Sequence, residues 1–333
     1  MLCPGILVQS PMKTKLILFQ VPYQSESLFH STWFRHIVNQ YFDIEHYQST
    51  QNYSDNTVFV MGCNAYLDSE RRKLFEHRRV IVDALWESNT GKWAGCFHNS
   101  NDNHVIFYGN QKNVENSRLR YVPNWFWYNE CLWYIERNYH KFFVNKKYTK
   151  KFLMPLGKSR GWRTELVQCL GSRLNDALWS YTSEGQLLPG TKTAKKMDHR
   201  WLNPEWFDET CFSLVPESFR EPASAVVFLT EKTYKAMAGQ HPFMIYAASG
   251  VLQLLKTQGF ETFDNLFDES YDTVDFAGKR EIICKNIDNF VTQPYDEITR
   301  QKVEHNFERF YNRSIVESGI VKDIIEPMIE WIN

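Results

Sequence analysis

Glu231 and Lys232 stand side by side in the run FLTEKTYKAMAG, and their types and place define a chemistry. The run reads as the end of a strand followed by a helix that opens on the acid–base pair. Backbone N–H groups in a first helical turn lack intrahelical acceptors, and the helix dipole adds positive potential, so that turn favours an anion. A carboxylate there accepts hydrogen bonds from two ribose hydroxyls, while the ammonium beside it faces a diphosphate. A nucleotide-sugar site requires both. A second group lies upstream: Lys158, Arg160 and Arg163 in KFLMPLGKSRGWR fall where a strand ends, a glycine turn follows and a helix begins. Open α/β sheets bind phosphates at such junctions. The competing reading is a basic surface loop, because residues 141–164 carry eight Lys and Arg and no Asp or Glu.

These groups must be positioned by the surrounding pattern. Between Met12 and about residue 140, short β-rich runs alternate with helical ones: LILF (16–19), an amphipathic stretch at 31–41, VFVMG (58–62), LDSERRKLFEHR (67–78), RVIVDALWE (79–87) and VIFYG (105–109). Buried β-branched runs alternating with helices argue for a parallel α/β sheet. In the amphipathic stretch, Trp33, Phe34, Ile37, Val38 and Tyr41 share a face. The aromatic segment 121–138 is expected to close that domain. Beyond it, 171–210 is loop-rich, 212–219 is a strand and turn, 231–238 a helix stopped by Gly239, 243–247 a strand and 251–258 a helix. An acidic, aromatic segment (259–275) precedes periodic helix from Arg280 onward. Two domains follow, 12–140 and 150–333, as the length of 333 residues also suggests.

Composition narrows the classes. With 38 Lys+Arg against 39 Asp+Glu, the net charge of −1 removes whole-protein attraction to nucleic acid, though not a local basic face. No apolar run approaches the ~20 residues of a membrane span, so a soluble protein is expected. The N-terminus lacks the signature of a secretory leader, and Met12 is an alternative start. Seven cysteines, odd in number and without CxxC spacing, argue for reduced thiols in a cytosol-like compartment. Cys96 and His98 are half a metal site at most, and no cofactor or metal is expected.

The run SLVPESF…VFLTEKTYKAMAGQHPFMIYAASGVLQLLKTQGFETFDNLFDESYD resembles the C-terminal signature of GT-B glycosyltransferase-like proteins of phages and large viruses, and FLMPLGKSRGWR resembles their strand–turn–Arg block. More distantly, the Glu-Lys pair is similar to the donor site of α-1,3-fucosyltransferases. The resemblance spans residues 151–275. It implies an α/β fold of two Rossmann-like domains facing a cleft, with C-terminal helices: an N-terminal acceptor domain and a C-terminal nucleotide-sugar domain. It also implies a cytoplasmic enzyme, in host cytoplasm if viral. By the same resemblance, Glu231 binds ribose hydroxyls, Lys232 and Arg163 neutralise the diphosphate with Lys158 or Arg160 assisting, and Thr230 belongs to the donor site. Lys235 is placed for an i,i+4 salt bridge with Glu231. Glu217 either contacts sugar hydroxyls or caps the next turn. Three departures leave the base and sugar open: His241 where Lys or Gly is common, Pro216 where Thr is usual, and Gly157–Lys158 where Asn–Arg is common.

Transfer to a hydroxyl gains from a base. Asp83 and Glu87 are the candidates, since IVDALWE reads as a buried strand running out at its C-terminal end; a capping or ion-paired acid is the alternative for each. One acceptor class is a hydroxymethylated base in phage DNA, flipped into the site while Arg71, Arg72, Arg78 and Arg79 hold the backbone. A glycan or protein acceptor, and a non-catalytic nucleotide-binding protein of the same fold, are the other readings.

Overall fold

Among the described residues, ten strands form two sheets, and most are built from apolar runs legible in the chain. The computed structural model describes residues 13–19, 32–54, 57–62, 73–84, 103–108, 119–142, 144–190, 201–217, 227 and 229–333. The first sheet contains β1 (Thr14–Phe19), β2 (Phe42–His46), β3 (Val58–Gly62), β4 (Arg79–Ala84), β5 (His104–Tyr108) and β6 (Leu119–Tyr121), in the order β2-β1-β3-β4-β5-β6. The pairs β1–β2, β1–β3, β3–β4 and β4–β5 are parallel. Central strands of such sheets are covered on both faces, which is why LILF, VFVM and VIV are continuously apolar rather than alternating. Ile17, Phe59, Met61, Val80, Val82 and Ile106 gather in one core cluster. Helix α1 (Thr32–Val38) buries Phe34, Ile37 and Val38 as its periodicity requires, but Tyr41, expected on the same face, lies past the helix end and is exposed.

The second sheet contains β7 (Lys150–Leu156), β8 (Ala177–Tyr181), β9 (Thr210–Pro216) and β10 (Phe243–Tyr246), in the order β10-β9-β7-β8, with each neighbouring pair parallel. From β7 the chain moves to one side for β8, then returns across β7 to place β9 and β10 on the other. The order reverses between β7 and β9, just as it does between β1 and β3 in the first sheet. Both are doubly wound sheets, and such sheets open a crevice at the carboxyl ends of the strands that flank the reversal.

The helices after α1 are α2 (Trp125–Glu136), α3 (Gly161–Leu170), α4 (Pro204–Glu209), α5 (Glu231–Ala238), α6 (Val251–Thr257), α7 (Phe276–Asn289), α8 (Glu297–Phe310), α9 (Arg313–Ile320) and α10 (Glu326–Ile332). A π-helical segment, Val321–Ile325, joins the last two. Among the described residues, no helix is long and apolar enough to cross a membrane.

Two compact units emerge. One holds the described residues of Met1–Tyr108, Glu115–Arg120 and Val321–Asn333; the other holds those of Tyr121–Ile320. The aromatic helix α2 therefore lies in the second unit, where Trp127 Nε1 donates to Phe310 O at 3.1 Å, and α10 lies in the first, where Arg79 packs over the Trp331 ring at 5.9 Å. A division at residues 140–150 places both elements the other way, because sequence order alone does not reveal which core an aromatic face joins. Strands β2 (FDIEH) and β8 (ALWSY) are also additions to the sequence reading. FDIEH alternates apolar and polar side chains and ALWSY carries Trp and Tyr, but over five residues each this signal is short beside the continuous apolar runs.

Candidate functional site

One buried arginine joins the carboxyl ends of β7 and β9. Leu156 ends β7, and the exposed loop Gly157–Arg160 leads into α3. Arg163, in the first turn of α3, is 3% exposed. Its Nη1 donates to Lys158 O at 3.2 Å, and its Nη2 donates to Pro216 O at 3.2 Å and to Glu217 O at 3.0 Å. Nε is also buried and has no hydrogen-bond partner among the described residues. Burial, and next the nearby charge of Arg160, lower this guanidinium to about 10, while Glu217 and Glu231 oppose the shift. Arg163 therefore stays charged at neutral pH. The structure directs its donors at three carbonyl oxygens, fastening the loop after β7 to the end of β9.

Glu217, expected either to meet a sugar or to cap the following turn, takes up the second role. It is fully buried. Its Oε1 accepts from Thr230 N at 2.9 Å and Thr233 Oγ1 at 2.6 Å, and its Oε2 accepts from Thr230 Oγ1 at 2.6 Å. Thr230 caps α5, its Oγ1 accepting from Lys232 N at 3.4 Å. The start of α5 is thus served by a carboxylate of the chain itself, as the helix dipole favours. Asp272 does the same for α6, accepting from Val251 N at 3.2 Å and Leu252 N at 3.1 Å. Helix α3 differs: its N-cap, Arg160, makes no side-chain capping bond.

Glu231 opens α5 and forms an ion pair with Lys232 Nζ, with side-chain exposures of 12% and 21%. Lys232 Nζ also lies 3.3 Å from Thr230 Oγ1. Lys235, expected opposite Glu231, lines a small apolar crevice with Lys232, Leu153, Pro155 and Val215. Lys158 and Arg160 are exposed. What the fold brings together is an uncapped helix start bearing two exposed cations, and, linked to it through Arg163, an acid–base pair at the start of α5. Such a surface holds a phosphate group at the helix end and a hydroxyl-bearing group at the carboxylate.

Three groups invisible in the sequence reading steady the loop. Tyr181 Oη donates to Ser159 Oγ at 3.1 Å and lies 2.7 Å from Thr164 Oγ1, and Thr182 Oγ1 donates to Gly157 O at 2.9 Å. Recognising β8 is the signal that would find them, since Tyr181 ends it. His241 is also explained. It is buried, and its Nε2 lies 3.0 Å from Phe207 O and 3.1 Å from Thr210 O, so that nitrogen carries the proton. Its Nδ1 then accepts from Ser213 Oγ at 3.0 Å. Burial, and next the charge of Lys146, hold it well below the usual histidine range.

Of the remaining candidates, Asp83, Arg78 and Arg79 belong to the first unit. Asp83 is the penultimate residue of β4, paired with Gly62 and Phe107. Arg78 Nη1 donates to Ser54 O at 3.3 Å, and Arg79 faces Trp331, so both have partners in their own unit. Glu87, Arg71 and Arg72 lie outside the described residues, as do Cys96 and His98. Among the described residues, no three His, Cys, Asp or Glu side chains gather to hold a metal ion.

No protein-family model matches the sequence, and no curated protein sequence matches it. Among solved structures, the chain is similar to a crystal structure of alpha1,3-fucosyltransferase at 11% identity, over 94% of this chain and 93% of that chain, with a TM-score of 0.49. A crystal structure of alpha1,3-fucosyltransferase with GDP-fucose gives 11% identity over 93% and 94% of the two chains and a TM-score of 0.44. With GDP the values are 10%, 94%, 94% and 0.46. At such scores the likeness assigns no residue a role.

Proposed function

We propose that this chain is a glycosyltransferase of the two-domain GT-B type, moving a sugar from a nucleoside-diphosphate sugar to a hydroxyl acceptor without a metal ion. The observation that carries this reading is the uncapped start of α3 with exposed Lys158 and Arg160, fastened by Arg163 to the end of β9 beside Glu231 and Lys232. In the transfer, the acceptor oxygen bonds to the anomeric carbon as the bond to the diphosphate breaks. The electron pair of that bond leaves with the nucleoside diphosphate, so negative charge grows where Lys158, Arg160 and Lys232 supply cations. Glu231 holds the ribose hydroxyls. Arg163 positions the loop rather than meeting the ligand. Asp83 and Glu87 remain the candidates for the base that takes the acceptor proton.

Incubation with a panel of nucleotide-sugars, with and without acceptors, tests this reading. Release of a nucleoside diphosphate that is lost in Glu231→Ala supports the enzyme. Tight nucleoside-diphosphate binding with no turnover on any acceptor would make it a binding protein. Hydroxymethylated DNA and a glycan are compared as acceptors.

A further inference from the structure

Helices α3 and α7 carry three matched side-chain contacts, all with the same sequence offset of 115 residues. Arg280 Nη1 donates to Glu165 Oε2 at 2.8 Å, Cys169 Sγ lies 3.2 Å from Cys284 Sγ, and Arg173 donates to both oxygens of Asp288 at 2.7 and 2.6 Å. On each side the residues are spaced by four, so one face of α3, continued by the turn that follows it, runs alongside one face of α7 in parallel and in fixed register. The cysteines are the middle rung, with an ion pair on either side.

We propose that Cys169 and Cys284 form a reversible disulfide that responds to oxidants of the peroxide class. Both are thiols in this structure. A bonded pair has its sulfurs about 2.05 Å apart, so closure needs a movement of only about 1 Å, and the flanking ion pairs hold the register while it occurs. Their exposure assigns the roles. Cys169 is half-buried and meets the oxidant, whereas Cys284 is buried. Burial, and next its contact with Cys169, raise the Cys284 thiol to about 12, which keeps it from reacting first. Peroxide transfers one oxygen to the Cys169 sulfur, giving a sulfenic acid and releasing water. The Cys284 sulfur then attacks that sulfur, and the sulfenic oxygen leaves as a second water with the Cys284 proton. Two electrons pass from the thiols to the peroxide. A dithiol reductant returns the pair by exchange. The bond ties α3, whose other end bears Lys158 and Arg160, to α7. This inference is independent of what the site binds.

The test is peptide mapping of the full chain after hydrogen peroxide and alkylation, alongside thermal unfolding. The expected result is a linked pair of peptides containing Cys169 and Cys284, two hydrogens lighter than their sum and separated by dithiothreitol. The closed loop of over 100 residues should raise Tm by roughly 7 °C. Cys169→Ser and Cys284→Ser should each lose both signals; if either fails to fold, the wild-type map decides alone. Recovery of both cysteines alkylated or as sulfinic acids, linkage to a different cysteine, or a linked pair with no rise in Tm would overturn it.

Discussion

Arg163 Nη2 donates to Glu217 O at 3.0 Å, which fixes the end of β9 from the first turn of α3. The contact joins residues 54 positions apart in the chain and sits where the strand order of the second sheet reverses. A guanidinium presents several donors in a rigid fork, so one side chain serves three carbonyl oxygens, two of them buried. This leaves ligand binding to the exposed neighbours and makes the arginine the fastening of the crevice.

Arg163→Ala should therefore lower stability by about 3 kcal/mol, since it strands the buried carbonyls at positions 216 and 217 and frees the loop at 158. Arg163→Lys should recover little of this, because an ammonium lacks the fork. Denaturant unfolding measures both. A loss in Arg163→Ala below about 0.5 kcal/mol, as at ordinary surface positions, would contradict the fastening role.

Glu217→Gln separates capping from sugar contact. Its two oxygens accept three hydrogen bonds from Thr230 and Thr233, and an amide would turn a donor toward one of those donors. The account expects a stability loss of about 1–3 kcal/mol. Unchanged unfolding with weakened nucleotide-sugar binding would assign Glu217 to the ligand instead.

Lys158→Ala and Arg160→Ala act in the opposite way. Both side chains are exposed, so unfolding should shift by less than about 0.5 kcal/mol. Affinity for a nucleoside diphosphate should fall about tenfold or more for each, as charge-assisted contacts to phosphate are lost. Calorimetric titration at fixed salt checks this.

His241 gives the pH dependence a sign. Its folded pKa lies well below 6.5, so between that value and about 6.5 the unfolded chain binds an extra proton. Stability is then level above about pH 6.5 and falls as the medium is acidified, with a slope of up to ~1.4 kcal/mol per pH unit from this group. Unfolding between pH 5 and 7 should show that slope reduced in His241→Gln. Identical slopes would exclude the histidine as its source.

The sequence reveals what local pattern encodes. The strand at 243–246, helix α5 and the glycine turn before α3 stand out because apolar runs end at glycines and polar caps. The partners of Arg163 do not, since a charge near a strand end looks the same whether it meets phosphate or two carbonyls brought from 53 and 54 positions away. The role of Glu217 is more accessible: threonines at 230 and 233, at the start of a helix, are the donors a buried carboxylate needs. Tyr181 stays hidden because the strand signal of ALWSY is short beside the continuous apolar runs.

The most direct test of the donor site is thermal unfolding in the presence of nucleoside diphosphates and their sugars. At about 100 times its Kd, a ligand adds roughly 2.7 kcal/mol, a rise in Tm of about 4 °C for a protein of this size. The account predicts such a rise with a nucleoside diphosphate or its sugar, lost in Glu231→Ala and reduced in Lys158→Ala and Arg160→Ala. No rise with any member of the panel, or a rise that these substitutions leave untouched, would contradict it.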